Sequence, residues 1–241
     1  MAVPRIKAVL FDLDDTLWPI VPVIRRAEAV LYDWLREHAV GVARLHTIDS
    51  LRARRLELAA ADPRYRYDMW ALRHAGLLEA FAAAGEDTGK VLDAMAVFSA
   101  ARNQVEPFAD VQPALHRLAA RLKLGSVTNG VADLEVIGLA RHFHVSISAR
   151  KLGCAKPDAA IFHAACEALG VQPAEAAYVG DDPVLDVEGA QKAGLHGIWI
   201  NRAEIDPVRT CPPHIRPDAI CRTLHDLDAW LAESAANAED D

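Results

Sequence analysis

Residues 6–19 read IKAVLFDLDDTLWP: six mostly apolar residues, then Asp12, Asp14 and Asp15 within four positions, with Thr16 directly behind them. A short apolar run closed by turn-forming residues is the pattern of a buried strand. Like charges packed against the end of such a strand repel one another unless something is held between them. Four further runs have the same character: LKLGSVT (122–128), a weaker HVSIS (144–148), AAYVG (176–180) and HGIWIN (196–201). Helical periodicity fills the later gaps. In KPDAAIFHAACEALGV (156–171), Ile161, Phe162, Ala165, Cys166 and Leu169 share one face, with Pro157 in the first turn and Gly170 at the stop. DPVLDVEGAQKAG (182–194) repeats the pattern, with Asp182 as N-cap and Gly194 at the end. Strands alternating with helices predict an α/β chain with a parallel sheet covered on both faces.

The interval between the first and second strands, 12–121, far exceeds what one crossover helix needs. Most of it is helix-compatible, in segments 22–38, 47–61, 67–84 and 87–103. The expected organisation is therefore a sheet-based core of 1–17 and 106–232, an inserted helical cap of 18–105 that serves as a lid, and a flexible acidic tail of 233–241.

Bulk composition narrows the function. The chain has 241 residues, 52% of them hydrophobic, and a net charge of −8, which suits a folded α/β protein and argues against a nucleic-acid surface. No apolar stretch has the length of a membrane helix, and the N-terminal residues do not form a signal peptide. The four cysteines, Cys154, Cys166, Cys211 and Cys221, are widely spaced and suit a reducing compartment. A cytoplasmic protein is the expectation.

In open parallel sheets, ligands bind beyond the carboxyl ends of the strands. Those ends carry Asp12, Asp14, Asp15 and Thr16; then Thr128, Asn129 and Gly130; then Lys156; then Asp181, Asp182 and Asp186. Each motif alone suits a cap or a turn. Converged on one rim, they form an acidic notch that calls for a hard cation, and carboxylates with water suit Mg²⁺. With Lys156 present the notch then accepts a phosphate dianion, to which Thr128 and the backbone around Asn129 and Gly130 offer donors. A carboxylate that attacks phosphorus forms an aspartyl-phosphate.

In order and spacing, DLDDT, TNG, KP and GDDPVLD resemble the four motifs of the haloacid dehalogenase-like phosphohydrolases, and the resemblance extends over about residues 6–230. It implies a Rossmann-like core with a helical cap and Mg²⁺-dependent hydrolysis of a small phosphorylated metabolite. Asp12 matches the nucleophile and a metal ligand. Asp14 matches the general acid/base, with its carbonyl on the metal. Thr128 and Lys156 match phosphate contacts, and Asp181 a metal ligand. Asp186 stands behind these, orienting Lys156 or the outer metal sphere, with Asp182 beside it. Dehalogenases of the same superfamily have an aromatic residue where Asp14 stands, which disfavours halide chemistry here. Phosphonate cleavage needs a cap lysine, and 18–105 has only Lys90. A phosphomutase or phosphotransferase remains an alternative, and a phospho-acceptor regulator a weaker one. VPVIRRAE, YDMWALRHAGLLEAF and VGDDPVLDVEGAQKAGLHGIWI resemble a subgroup that includes bacterial riboflavin-pathway phosphatases, acting on FMN or a ribitylamino-pyrimidine phosphate. Trp18 is the candidate substrate contact. The cap arginines and aromatics around PRYRYDMWALR (63–73) suit either an ordinary amphipathic helix or a stacking surface.

Overall fold

The computed structural model describes residues 5–205 and 209–237. Six parallel strands lie side by side: β1 (Ala8–Phe11), β2 (Lys123–Thr128), β3 (Val145–Ser148), β4 (Ala176–Gly180), β5 (His196–Ile200) and β6 (Ala219–Cys221), in the order β3-β2-β1-β4-β5-β6. This is the doubly wound arrangement in which the chain leaves β1 to one side and returns to the other, opening a crevice above β1 and β4. β1 is wholly buried because both neighbours pair with it, Leu10 lying opposite Gly125 and Tyr178. Strand β6, only three residues long with Ile220 exposed, lacks the apolar run that announces the other five.

The chain divides into two compact units. The sheet unit comprises Met1–Pro19, Glu106–Gly130 and Gly138–Asp241; the helical unit comprises Ile20–Val105 and Val131–Ile137. Residues 131–137 differ from the sequence expectation, which placed them with the sheet. Asn103 explains the grouping locally, since its Oδ1 accepts the backbone N–H of Asp133 at 3.0 Å.

The helical unit contains α1 (Ile20–His38), α2 (Val40–Leu45), α3 (Ile48–Ala61), α4 (Met69–Ala83), α5 (Val91–Arg102) and the one-turn α7 (Leu134–Ile137). Its core gathers Ala27, Leu31 and Leu35 of α1, Leu77 and Phe81 of α4, and Met95 and Phe98 of α5. Those residues recur at helical spacing, which is why propensity and packing agree there. Helix α3 buries none of its residues and is secured at its start by reciprocal hydrogen bonds between Thr47 and Ser50. The arginines that suited either an ordinary amphipathic helix or a stacking surface are largely paired within the unit, which favours the first. Arg54 bonds Glu57 and Glu79, Arg64 bonds Asp62, Arg52 and Arg55 bond Glu28, and Arg73 stacks 3.4 Å over the Phe98 ring.

In the sheet unit, α6 (Val111–Ala119) precedes β2, α8 (Ala149–Leu152) follows β3, and α9 (Ala159–Leu169) leads towards β4. A wide π-turn, Pro183–Glu188, runs into α10 (Gly189–Lys192) after β4, and α11 (Leu224–Asn237) follows β6. The expected flexible tail from 233 is corrected for 233–237, which continue α11; residues 238–241 lie outside those described. Among the described residues, no helix is long and apolar enough to cross a membrane.

Candidate active site

The first rim loop follows from β-alternation. Beyond Phe11 the chain keeps its ladder for one more step, with the Asp12 N–H donating to Val179 O at 2.9 Å. Leu13 and Leu17, both fully buried, turn into the core, which leaves Asp12 and Asp14 on the opposite side. The loop then tightens: Leu17 N–H donates to Leu13 O at 2.8 Å, and Asp15 adopts a left-handed φ of 59°. Asp tolerates this conformation better than most residues. Trp18, expected as a substrate contact, is instead completely buried, and its Nε1–H donates to Asp14 Oδ1 at 2.8 Å. Its part in this geometry is to hold a carboxylate.

Lys156 arrives from the loop between α8 and α9, which follow β3. Its backbone is clamped by one side chain, Asn129: Lys156 N–H donates to Asn129 Oδ1 at 2.9 Å, and Asn129 Nδ2 donates to Lys156 O at 3.1 Å. The Asn129 side chain thus positions the lysine. Of the backbone donors expected for phosphate, that of Gly130 is already engaged, taken by Thr128 Oγ1 at 2.9 Å. The buried ammonium of Lys156 then spends three donations, on Asp12 Oδ1 at 2.6 Å, Asp186 Oδ1 at 2.7 Å and Tyr178 Oη at 2.8 Å. Tyr178 passes its own hydroxyl proton to Val127 O at 2.9 Å. Tyr178 lies within the AAYVG run and is not among the site residues expected from sequence. The available signal was that a buried tyrosine hydroxyl needs a partner.

The last loop is organised around Asp186. Its Oδ2 accepts the Asp182 N–H at 2.9 Å, and it lies so close to β4 that a Cβ on Gly180 would stand 2.3 Å from its carboxyl carbon. Glycine at 180 is a requirement of that approach. Asp182 caps the π-turn through Val184 and Leu185 N–H, as expected of an Asp before proline. Asp181 is buried, with its carbonyl held by Trp199 Nε1 at 2.9 Å. Arg209, absent from the sequence-based site, reaches in from a turn-rich segment. Its Nη2 stands 2.8 Å from Asp181 Oδ2, but off the axis of a hydrogen bond, so that shielded oxygen has a charge beside it and no donor.

Burial and mutual repulsion set the electrostatics. Desolvation, which Lys156 only partly offsets, pushes the Asp12 carboxyl up to about 7. Desolvation and the charges of Asp12 and Asp186 push Asp181 up to about 9. Burial alone lowers the Lys156 ammonium, but Asp12 and Asp186 outweigh it and hold the group well above its ordinary value. At about 4 Å, two carboxylates repel by ~4 kcal/mol at an effective dielectric near 20. A cation between them removes that cost.

Asp12, Asp181 and Asp186 each offer a carboxylate oxygen within 4.8 Å of the others. Both Asp186 oxygens already accept hydrogen bonds, which leaves Asp12 and Asp181 as the better ligands and Asp186 as their support. The carboxylate of Asp14 stands outside this trio. An all-oxygen set with an undonated, shielded oxygen on Asp181 fits a hard divalent ion such as Mg²⁺.

Comparison with known proteins accords with this rim. The family model of haloacid dehalogenase-like hydrolases matches residues 6–194. The chain belongs to the haloacid dehalogenase-like hydrolases. Within that family it is 30% identical to the 5-amino-6-(5-phospho-D-ribitylamino)uracil phosphatase YigB of Escherichia coli, over 94% of this chain and 97% of that protein. It is 32% identical to a phosphoserine phosphatase of Thermus thermophilus, over 95% and 99%. Among solved structures, a 2-haloacid dehalogenase from Pseudomonas syringae superposes with a TM-score of 0.87 at 38% identity, covering 95% of this chain and 99% of that one. The haloacid dehalogenase-like hydrolases therefore supply both phosphatase and dehalogenase relatives, and the choice between them falls to the rim.

Proposed function

We propose that the chain is a Mg²⁺-dependent phosphatase of a small phosphomonoester, acting through an aspartyl-phosphate on Asp12. The observation that carries this is the convergence of Asp12, Lys156, Asp181 and Asp186 in one buried cluster, with Asp14 held nearby by Trp18. Lys156 fixes one Asp12 oxygen and keeps charge opposite the incoming phosphoryl group. A carboxylate oxygen of Asp12 attacks phosphorus, and the bond from phosphorus to the leaving oxygen breaks. Asp14, protonated, gives its proton to that oxygen. Asp14 as carboxylate then takes a proton from water as the water attacks phosphorus, which releases inorganic phosphate and restores Asp12. Asp12 and Asp181 would hold the Mg²⁺, whose charge would neutralise that of the phosphate. Thr128, buried at the end of β2, is the phosphoryl-side hydroxyl.

The dehalogenase alternative draws support from the Pseudomonas syringae structure. Asp14 favours phosphate chemistry. Halide departs as a stable anion and needs no proton, whereas an alkoxide leaving group does. For the substrate, likeness to YigB over nearly the whole chain supports the ribitylamino-pyrimidine phosphate, and likeness of equal extent to the Thermus thermophilus enzyme supports phosphoserine as the second candidate. The test is a release assay with Mg²⁺ and with EDTA, reading phosphate from FMN, the ribitylamino-pyrimidine phosphate, phosphoserine and p-nitrophenyl phosphate, and chloride from 2-chloropropionate. Mg²⁺-dependent phosphate release with no chloride is expected, highest for the flavin-pathway compounds. Chloride release in EDTA would overturn the phosphatase reading. Equal rates on all phosphates would overturn the substrate alone.

A further inference from the structure

The rim has six carboxylates, Asp12, Asp14, Asp15, Asp181, Asp182 and Asp186, and two cations answer them in different ways. Lys156 is sealed in, with side-chain exposure of 4%, and its three donations all go to residues of the site's floor. Arg209 is 37% exposed and spans two loops. Its Nη1 donates to Asp182 Oδ2 at 2.9 Å, while its Nη2 lies 2.8 Å from Asp181 Oδ2 and 3.5 Å from Asp15 Oδ2. The guanidinium therefore lies against a carboxylate oxygen that a divalent ion would take, and that oxygen is closed to solvent. A guanidinium cannot shed its charge by losing a proton at any ordinary pH, so it can leave the oxygen only by moving. The Nη1 bond to Asp182, a residue already fixed as the cap of the π-turn, provides a pivot for that motion.

We propose that Arg209 is a displaceable counter-cation: it neutralises and orients Asp181 in the metal-free site and yields that oxygen when the divalent ion enters, keeping its hold on Asp182. Arg209 is thus a positioning residue that sets metal affinity. It competes with the ion, so metal binding is weaker than the carboxylates alone would make it, and the unloaded rim is protected from its own repulsion. The inference rests on Asp181 being a metal ligand and is independent of which bond the enzyme cleaves.

Mg²⁺ binding to the full-length protein tests it without any substrate. Titration calorimetry at pH 8 is run on wild type, Arg209→Met and Arg209→Lys, with thermal melts in EDTA alongside. Arg209→Met is expected to bind Mg²⁺ roughly two- to fivefold more tightly, the factor that loss of a partly exposed ion pair represents. It is also expected to melt at a lower temperature in EDTA, with a deficit that shrinks in saturating Mg²⁺ to the part due to the lost Asp182 bond. Arg209→Lys, with the charge kept and the fork lost, is expected to fall between the two. Weaker or unchanged Mg²⁺ affinity in Arg209→Met, with the fold verified by circular dichroism, overturns the proposal. So does a melting deficit in EDTA that saturating Mg²⁺ leaves undiminished. If Mg²⁺ binds but phosphate is not released from any ester, the proposed function fails while this inference stands.

Discussion

The two units solve the same electrostatic problem in opposite ways. In the sheet unit, buried carboxylates outnumber their cations, and desolvation lifts Asp12 to about 7 and Asp181 to about 9. In the helical unit one buried carboxylate, Glu28, has more cations than it needs. Arg52 Nη2 lies 2.6 Å and Arg55 Nη2 2.5 Å from it, with Arg73 Nη1 at 3.9 Å. There burial again works to raise the carboxyl, but the bonds from Arg52 and Arg55 win and its pKa falls below the usual carboxylate value. Burial with too few cations leaves the same chemical group reactive and hungry for more charge, while overpaired burial makes it a structural tie. The sheet rim sacrifices stability for chemistry, and the helical cluster does the reverse.

The largest expected effect separates these roles. Asp12→Asn should cut turnover by ~10³-fold or more, because an amide is a poor nucleophile, and Asp14→Asn by ~10²–10⁴-fold. Neither should lower the melting temperature in EDTA, since each removes charge from an overcharged rim. Turnover near wild type in either variant would end the role assignment. Glu28→Gln should do the opposite, costing about 2–3 kcal/mol in urea unfolding because Arg55 and Arg73, both largely buried, lose their counter-charge. A loss below about 0.5 kcal/mol would place Glu28 among ordinary surface positions.

A further expected effect is a slope with pH. A carboxyl whose folded pKa is raised binds more protons in the native state than in the unfolded chain between the two values. For Asp12 and Asp181 that interval runs from the unfolded carboxylate value up to about 7 and about 9. Their effect on native stability is therefore neutral near pH 4 and becomes a growing penalty as pH rises. In EDTA the melting temperature should decline from pH 5 to 9, and saturating Mg²⁺ should flatten the decline. An identical slope with and without Mg²⁺ would mean that these carboxylates do not hold the ion.

Much of this was legible before any coordinates. The five longer strands announce themselves because each is an apolar run closed by a turn, and the acids, Thr128 and Lys156 stand where those runs stop. Strand β6 escaped notice because three residues carry no periodicity. Tyr178 was hidden inside a run that reads as core, and only its hydroxyl's need for a partner betrays it. Arg209 follows a turn-rich segment well past the last motif, where local pattern gives no direction to a side chain. Glu28 offered a quieter signal. It is a carboxylate beside Ala27 and one turn from Leu31, on the buried side of α1, a place where a charge survives only with cations close by. The arginines were visible, but which of them would answer that carboxylate depends on how α3 and α4 cross α1, and no local spacing encodes that.

The Lys156 ammonium has three protons, and all three are committed to oxygens of the floor. A side chain so engaged has no slack with which to follow a moving group. It acts as a fixed landmark that the reacting atoms must approach. A lysine used this way recognises where negative charge arrives and is indifferent to the shape of the molecule carrying it. One unchanging core can therefore serve many different esters, with discrimination left to residues elsewhere.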